Sequence, residues 1–321
     1  MFSVIIPLYN KSASIKRAIE SVLNQTFQEF ELIVVNDGST DNSAAIVAEF
    51  QDSRIHLIHQ QNGGVSKARN TGIANARNKY LTFLDADDEY LPECLQTFQK
   101  LIAAYPAASI WSCSYYCSKP NGELYLPDIK GIARGYEGEL EDYFAIAANS
   151  TPPICTGTAC IRVGALLKYG GFPEGITSGE DLLTWARICA HYKPVYRAEP
   201  MMIYHLSWNK TNNATPARIP QTFDIVGREL ANLEQETGIP SLKRYRSLWH
   251  KMRASSLIRA GYRWQGLRES WIALKLNPRN KKLYCYFLLA CLPLQLIYFL
   301  SKKWNSGKHK TDLLQDNPKS S

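Results

Sequence analysis

The N-terminal part of the chain alternates between short strand-forming apolar runs and longer segments with helical periodicity. The strand-forming runs cover residues 2–8, 31–35, 55–59 and 80–84. Helices are predicted between them, because apolar residues recur there at the spacing of one helix face, as in Ile15, Ala18, Ile19, Val22 and Leu23. Strands and helices that alternate at this length predict a parallel sheet with helices on both faces.

The fourth run ends abruptly in three carboxylates, Asp85, Asp87 and Asp88. Carboxylates repel one another at contact distance, and burying them is costly unless each is paired or bound to a metal. Hard oxygen ligands of this kind suit Mg²⁺ or Mn²⁺, and these ions favour diphosphates. A solvated acidic turn before a helix that begins near Pro92 would explain the same residues. This segment by itself leaves both interpretations open.

In such sheets ligands bind outside the carboxyl ends of the strands, and polar residues follow the predicted strands at that edge. After the first two runs these residues are Pro7, Tyr9, Asn10, Asn36 and Asp37. After the third run, residues 63–72 offer glycine amides together with Lys67 and Arg69 at a predicted helix start, where anions are favoured. One edge therefore combines anion-binding groups with carboxylates that can hold a cation. A metal-bound nucleotide diphosphate requires both.

Five segments carry a resemblance to a known family. They are residues 4–10 (VIIPLYN), 25–27 (QTF), 31–41 (ELIVVNDGSTD), 62–72 (NGGVSKARNTG) and 83–88 (FLDADD). In this order and spacing they resemble the family 2 glycosyltransferases, and the match is dense over residues 2–105. The resemblance implies an inverting, non-processive enzyme of the bacterial type, with a nucleotide-sugar donor, usually a UDP-sugar, and Mn²⁺ or Mg²⁺. It also implies a GT-A fold, an α/β, Rossmann-like and mostly parallel sheet flanked by helices.

The resemblance also implies roles for individual residues. The set expected to bind the nucleotide-sugar is Pro7, Tyr9, Asn10, Asp37, Lys67, Arg69, Asp85 and Asp87. Within this set, Pro7, Tyr9 and Asp37 would line the nucleoside pocket, and Arg69 would lie near the diphosphate. Asp85 and Asp87 would form the family's Asp-x-Asp pair, with Asp87 as the preferred direct metal ligand. His205 would complete the metal coordination.

Residues 178–181, Ser-Gly-Glu-Asp, precede a helical pattern and place two carboxylates in its first turn. Ser178 as a helix cap, with two acids that complement the helix dipole at roughly 0.3–1 kcal/mol each, is a purely structural explanation. By the resemblance, Asp181 is the catalytic base that takes the proton of the acceptor hydroxyl, and Glu180 assists it. Trp185 on the same helix either stacks on an acceptor sugar or packs in the core.

The charge of the chain is strongly divided. The whole chain carries +8, but from Ser241 onward 17 Lys and Arg stand against 3 Asp and Glu, a balance of +14. Residues 283–300 carry no charge and lie between lysine pairs. This block favours a helix or hairpin lying in the membrane interface, with a span or a buried core helix as the alternatives. An apolar block beside the cations also favours anionic lipid over nucleic acid.

The chain is therefore divided into a catalytic domain (1–220), a helical extension (221–280), a membrane-associating segment (281–305) and a disordered tail (306–321). The apolar anchors expected in the extension are Leu248, Met252, Leu257, Ile258, Leu267, Trp271, Ile272 and Leu274. The first residues lack a charged region, so no signal peptide is expected. These features predict a cytoplasmic enzyme held peripherally at the inner face of the membrane. Its acceptor would be a glycan or lipid-linked glycan of cell-surface polysaccharide biosynthesis.

Other classes of protein share parts of this pattern. A non-catalytic nucleotide-sugar or carbohydrate-binding protein would not need both Asp87 and Asp181. A nucleotidyltransferase of similar sheet topology would show a different glycine-rich entry loop that bears a lysine. A processive synthase would carry a Gln-x-x-Arg-Trp segment, whereas Arg263-Trp264 is preceded by Ala260 where the glutamine would stand. The sequence therefore favours a non-processive transferase.

Overall fold

The structure is a computed structural model that describes residues 1–119, 121–206, 219–280, 283–285 and 287. The chain divides into two compact units, Met1–Thr215 with Phe223–Tyr245, and Pro216–Thr222 with Arg246–Ser321. Most of the predicted membrane-associating segment and all of the predicted tail lie outside the described residues, and the predicted domain boundaries stay predictions. Among the helices of the described part, none combines the length and the apolar character needed to cross a bilayer.

The first unit is built on one mixed sheet. Its strands are β1 Phe2–Leu8, β2 Phe30–Asp37, β3 Ile55–Gln60, β4 Tyr80–Phe83, β5 Glu89–Tyr90, β6 Ile110–Ser118, β7 Leu124–Tyr125, β8 Glu137–Glu139, β9 Ala159–Arg162 and β10 Val195–His205. The order across the sheet is β3-β2-β1-β4-β9-β6-β10-β5, with β7 beside β6 and β8 beside β10. The longest ladders, which join β1–β2, β6–β10, β2–β3 and β1–β4, are parallel. The predicted fold class, a mostly parallel sheet, is therefore confirmed.

Helices of the first unit cover the sheet. They are α1 Ile15–Leu23, α2 Ser43–Ala48, α3 Val65–Asn75, α4 Cys94–Ala104, α5 Tyr143–Asn149, α6 Val163–Lys168, α7 Glu180–Cys189 and α8 Ile225–Thr237. In helix α1 the apolar periodicity that predicted the helix coincides with burial. Its residues Ile15, Ala18, Ile19 and Val22 are all fully buried in one core cluster with residues of β1 and β2. Each large aliphatic side chain buried in this way contributes roughly 1.5–3 kcal/mol.

The parallel register brings the ends of β1, β2 and β3 to the same level. Leu8 is paired with Asn36, and Asn36 with His59 on the next strand. Pro7 is tolerated in a central strand because the ladder between β1 and β4 already ends at Ile5, so the missing N–H interrupts nothing on that side. The loops that leave these strands therefore meet at one edge of the sheet.

The second unit contains residues 246–259 of α9 (Leu242–Arg259) and all of α10 (Arg263–Leu276). Gly261 lies between them with φ of +90°, a left-handed conformation that favours glycine and ends α9. Of the predicted apolar anchors, Leu248, Leu257 and Ile258 are buried, whereas Met252 and Trp271 are exposed. The prediction that Met252 and Trp271 anchor the extension is therefore wrong.

Candidate active site

The turn after β4 carries the three carboxylates to the edge of the sheet. The amide of Asp88 donates to the carbonyl oxygen of Asp85 at 3.0 Å and closes the turn. The side chains of Asp85 and Asp87 are 36% and 29% exposed, but Asp88 is 2% exposed. Two of the acids can therefore be reached by a ligand, and the third is part of the interior.

Asp88 joins the turn to β10. Its Oδ1 accepts the amide of His205 at 2.9 Å. Burial, and after it the charge of Asp85, raises the pKa of Asp88 to about 9, although the hydrogen bond from His205 opposes the shift. Burial therefore favours the neutral form of Asp88, and a neutral Asp88 reduces the repulsion among the three acids of the turn.

Asp87 is contacted by two cations from the segment that follows β1. The ammonium group of Lys11 forms an ion pair with Asp87 Oδ2, and Arg17 Nη2 donates to the carbonyl oxygen of Asp87 at 2.5 Å. The backbone of Lys11 is itself held, since its amide donates to Ser43 Oγ at 2.8 Å. Sequence reasoning missed Lys11. Its place directly after Asn10, at the end of a parallel strand, was the signal that could have found it.

Arg69, on α3, is the buried cation of the site, with only 4% of its surface exposed. Its Nη2 donates to Asp85 Oδ1 at 2.8 Å, and Nη1 lies 3.9 Å from Glu180 Oε1, beyond hydrogen-bonding range. Nε and Nη1 are buried and find no hydrogen-bond acceptor among the described residues. Burial alone would lower the pKa of Arg69, but the charges of Asp85, Asp181 and Glu180 raise it above its usual value. Arg69 is thus a fixed positive charge with unused donors.

Asp37 organises the glycine loop that leads into α3. Its carboxylate accepts the amides of Gly63 and Gly64 at 2.9 and 2.8 Å, and Gln60 Nε2 at 2.7 Å. Gly64 precedes the helix with φ of +86°, a left-handed conformation that favours glycine. The structure therefore places Asp37 at the predicted edge. Its contact with a nucleoside stays a prediction.

The remaining residues of the predicted donor site lie at the same edge with different exposure. Pro7 is partly buried in β1, Tyr9 is 48% exposed, and Lys67 is exposed at the start of α3. Asn10 adopts φ of +52°, unusual for a residue other than glycine, while its Oδ1 accepts the amide of Thr40 at 2.8 Å. The loop after β1 is therefore tied to the loop after β2.

Helix α7 presents Glu180 and Asp181 in its first turn, as predicted. The residue at its N-cap is Gly179, with φ of +87° and no side-chain cap, so Ser178 does not cap the helix as the purely structural alternative required. Glu180 is buried beside Arg69, whereas Asp181 is exposed and its Oδ1 accepts the amide of Leu182 at 2.7 Å. The two acids therefore differ in what can reach them.

Trp185 is a core residue and is not available to stack on a sugar. It is 2% exposed, its Nε1 donates to Thr156 Oγ1 at 3.3 Å, and its ring meets Phe172 edge to face. Phe172 is held in turn by Asn70, whose side chain donates to its carbonyl oxygen at 2.8 Å and accepts its amide at 2.9 Å. The guanidinium carbon of Arg69 lies 5.0 Å from the Phe172 ring centroid. Arg69 and Asn70, which are consecutive in α3, thus connect the acidic turn to the packed rings of Phe172 and Trp185.

His205 is the last residue of β10 and lies beside the acidic turn. Its Nε2 lies 2.8 Å from Glu89 Oε1, and its backbone amide donates to Asp88, as described above. His205 is therefore close to the turn in the described structure, but its ring nitrogen is engaged by Glu89. Its assignment as a metal ligand stays a prediction.

Two solved structures share this architecture. TarS from S. aureus, in complex with UDP-GlcNAc, matches with a TM-score of 0.62 at 19% identity, over 95% of this chain and 92% of the TarS chain. The mannosyltransferase PcManGT from Pyrobaculum calidifontis, in complex with GDP-Man and Mn²⁺, matches with a TM-score of 0.58 at 18% identity, over 98% and 88%. At this identity the likeness establishes the fold, which is the GT-A fold.

The sequence comparison establishes the family. The family model described as Glycosyl transferase family 2 matches residues 3–170, and the chain belongs to this family. The uncharacterized glycosyltransferase EpsJ of Bacillus subtilis (strain 168) is 40% identical over 131 residues, which are 40% of this chain and 37% of EpsJ. The match thus covers well under half of that relative. The predicted family and the predicted enzyme class, a glycosyltransferase, are confirmed.

Proposed function

We propose that this enzyme transfers a sugar from a UDP-sugar to a hydroxyl group of a glycan acceptor, with inversion and with Mn²⁺ or Mg²⁺ as cofactor. The observation that carries this proposal is the environment of Arg69. It is a buried cation with two donor nitrogens, Nε and Nη1, that lack an acceptor in the described part of the chain, beside the partly exposed carboxylates of Asp85 and Asp87. A diphosphate bound at this edge would be attracted by the positive charge of Arg69, and a divalent cation would offset the repulsion between phosphate and carboxylate.

The acidic turn fits a hard divalent ion. Asp85 and Asp87 are accessible oxygen donors, and Asp87 already accepts a cation in the form of the Lys11 ammonium group. These two residues would hold the ion, and His205 would join them after releasing Glu89. When bound, such an ion stabilises negative charge on the departing diphosphate.

The residues of the chain divide the remaining work. Arg69 would bind the diphosphate and remain charged as the phosphate leaves, because its neighbours keep its pKa high. Asp181 would accept the proton of the acceptor hydroxyl while that oxygen attacks the anomeric carbon. The bond to the departing UDP breaks on the opposite face, so a single displacement inverts the configuration. Glu180 lies beside Arg69 and would help to orient the groups of the site without taking the proton.

Relatives and charge support the identity of the partners. The TarS structure contains UDP-GlcNAc and the PcManGT structure contains GDP-Man with Mn²⁺, which supports a metal-assisted nucleotide-sugar donor here. The acceptor would be a glycan or a lipid-linked glycan in cell-surface polysaccharide biosynthesis. The balance of +14 from Ser241 onward supports a cytoplasmic enzyme bound to the anionic inner face of the membrane.

Asp181→Asn tests the catalytic assignment. A panel of nucleotide sugars is first screened for metal-dependent hydrolysis to find the donor, and transfer and donor binding are then measured separately. The variant should lose roughly 10²–10⁴-fold in turnover while donor affinity stays nearly unchanged. Asp52→Asn is the matched control, because Asp52 precedes β3 at the opposite edge of the sheet. Normal transfer by Asp181→Asn would refute the base assignment, and a wild-type enzyme that binds no UDP in the presence of Mn²⁺ would refute the donor proposal.

A further inference from the structure

Helix α10 carries an unusual exposed face. Trp264 is 82% exposed and Trp271 is 52% exposed, and Arg268 and Lys275 between and beyond them are exposed as well. At 3.6 residues per turn these four positions fall within about 60° of the helix circumference. We call these four residues the α10 outer face. It alternates aromatic rings with positive charges along about 16 Å of helix.

The opposite face of α10 is locked against α9, so the outer face cannot turn inward. A Cβ atom on Gly266 would come within 2.4 Å of Ile258, which shows how closely the two helices approach. Ser247 on α9 donates to the carbonyl oxygen of Ala273 at 2.7 Å. Glu269, the acid of α10, is buried and accepts Arg253 Nε at 2.9 Å. The outer face therefore carries no negative charge, and the packing of small residues fixes its direction.

The chemistry of this face suits the boundary between water and lipid. Tryptophan is enriched at that boundary because its ring is apolar and its indole N–H needs a polar partner. Arginine and lysine bury their aliphatic stems while their charged groups reach anionic headgroups. Lys275 Nζ already lies 5.3 Å from the Trp271 ring centroid, so ring and charge would meet a headgroup together. The portion of the chain from Ser241 onward is itself strongly positive, which complements an anionic surface.

We propose that the α10 outer face is a docking surface for an anionic bilayer. The proposal rests on the membrane association put forward above and assigns part of it to Trp264, Arg268, Trp271 and Lys275. Without such a face, membrane attachment would depend on the apolar block 283–300 alone. The helix would lie along the membrane surface with both rings at headgroup depth, in the manner of interfacial helices.

Vesicle binding by the full-length protein tests the assignment. Co-sedimentation is measured with phosphatidylcholine vesicles that contain phosphatidylglycerol, for wild type, Trp264→Ala/Trp271→Ala and Arg268→Gln/Lys275→Gln. Each lost cation should weaken binding roughly fivefold, and loss of both rings should weaken it about tenfold or more. The control is Lys100→Gln/Lys168→Gln, which removes the same charge from exposed positions of the first unit and should leave binding nearly unchanged. Melting curves verify that each variant is folded.

Each outcome decides one point. Selective loss of binding in the α10 variants, with nucleotide-sugar hydrolysis intact, supports the proposal. Wild-type binding by both α10 variants would overturn it, even if the rest of the chain still attaches to the membrane. Equal binding to pure phosphatidylcholine would overturn the assignment to anionic lipid. A change in sedimentation coefficient without a change in vesicle binding would identify the face as a contact between copies and would also overturn it. Hydrolysis is measured without vesicles, so failure here is separable from failure of the proposed transferase reaction.

Discussion

Arg69→Met is expected to destabilise the first unit because it removes the positive charge from a cluster of acids. The guanidinium group lies 2.8 Å from Asp85 and 3.9 Å from Glu180, and Asp181 also contributes to its high pKa. Breaking a buried ion pair from one side costs about 3–5 kcal/mol. We expect about 3 kcal/mol, the lower end of that range, because the Asp85 side chain is 36% exposed and water can solvate it.

The magnitude can be read from thermal unfolding. A change of 1 kcal/mol shifts the melting temperature of a unit of this size by about 2–4 °C, so the melting temperature should fall by about 6–12 °C. Asp85→Asn in the Arg69→Met background removes one of the stranded charges and should restore about 1–2 kcal/mol. Arg54→Met is the control, because Arg54 also pairs with an aspartate, Asp52, at 2.6 Å, but both side chains are partly exposed. That change should cost no more than about 1 kcal/mol.

Two results would refute this reasoning. If Arg69→Met melts within about 2 °C of the wild type, the acids do not depend on the guanidinium group for their accommodation. If the double variant with Asp85→Asn is no more stable than Arg69→Met alone, repulsion among the acids is not the cause of the loss. The second result would leave lost packing against the Phe172 ring as the explanation.

Three further changes probe other parts of the molecule. Lys11→Met should raise the affinity for Mn²⁺ alone by roughly two- to fivefold, because the partly exposed ion pair that Mn²⁺ must break at Asp87 contributes no more than about 1 kcal/mol. Paramagnetic resonance of free Mn²⁺ measures this affinity, and unchanged or weaker binding would contradict the prediction. Trp185→Phe should lower the free energy of unfolding by about 1–2 kcal/mol in denaturant titrations and leave the acceptor KM unchanged, whereas a raised KM at full stability would indicate sugar stacking. Burial alone would raise the pKa of Glu269, but hydrogen bonding to His250 holds that pKa below its usual value of 4.5. The ionised Glu269 therefore stabilises the fold above pH 4.5, and this stabilisation is lost as the pH falls through the pKa of the folded state. Glu269→Gln should lower the melting temperature near neutral pH and much less in acid. An equal loss at both pH values would contradict this.

The strands and helices of the first unit were predictable where apolar periodicity and burial coincide. All four buried positions of α1 follow from the spacing that begins at Ile15. The meeting of Arg69 with Asp85 followed from topology, because parallel strands send the loops at their carboxyl ends to one edge. The order of the motifs along the chain was enough to place Asp37 at that edge as well, and none of this required knowledge of side-chain packing.

Packing decided what the sequence could not show. Trp271 is apolar in any periodicity, but α9 and α10 approach closely at Gly266, so the small residues Gly266, Ser270 and Ala273, together with Glu269, take the buried side. Trp185 was left between two interpretations for the same reason, since hydrophobicity does not tell a core ring from a binding platform. The position of Lys11 directly after Asn10 places it at the correct edge, but its pairing with Asp87 depends on the distance between two loops, which the sequence does not give.

The acidic turn accommodates three carboxylates by three different means, and the difference bears on how a cation enters. Asp88 is buried, and burial raises its pKa and so favours its neutral form. Asp85 is held by Arg69, and because the guanidinium group of Arg69 is buried, breaking this ion pair would leave its charge without a partner and without water. Asp87 is held by Lys11, whose side chain is 38% exposed and can turn into water at little cost. Of these arrangements only the last can be exchanged readily, so an incoming divalent ion would displace Lys11 and leave Arg69 in place to receive the diphosphate.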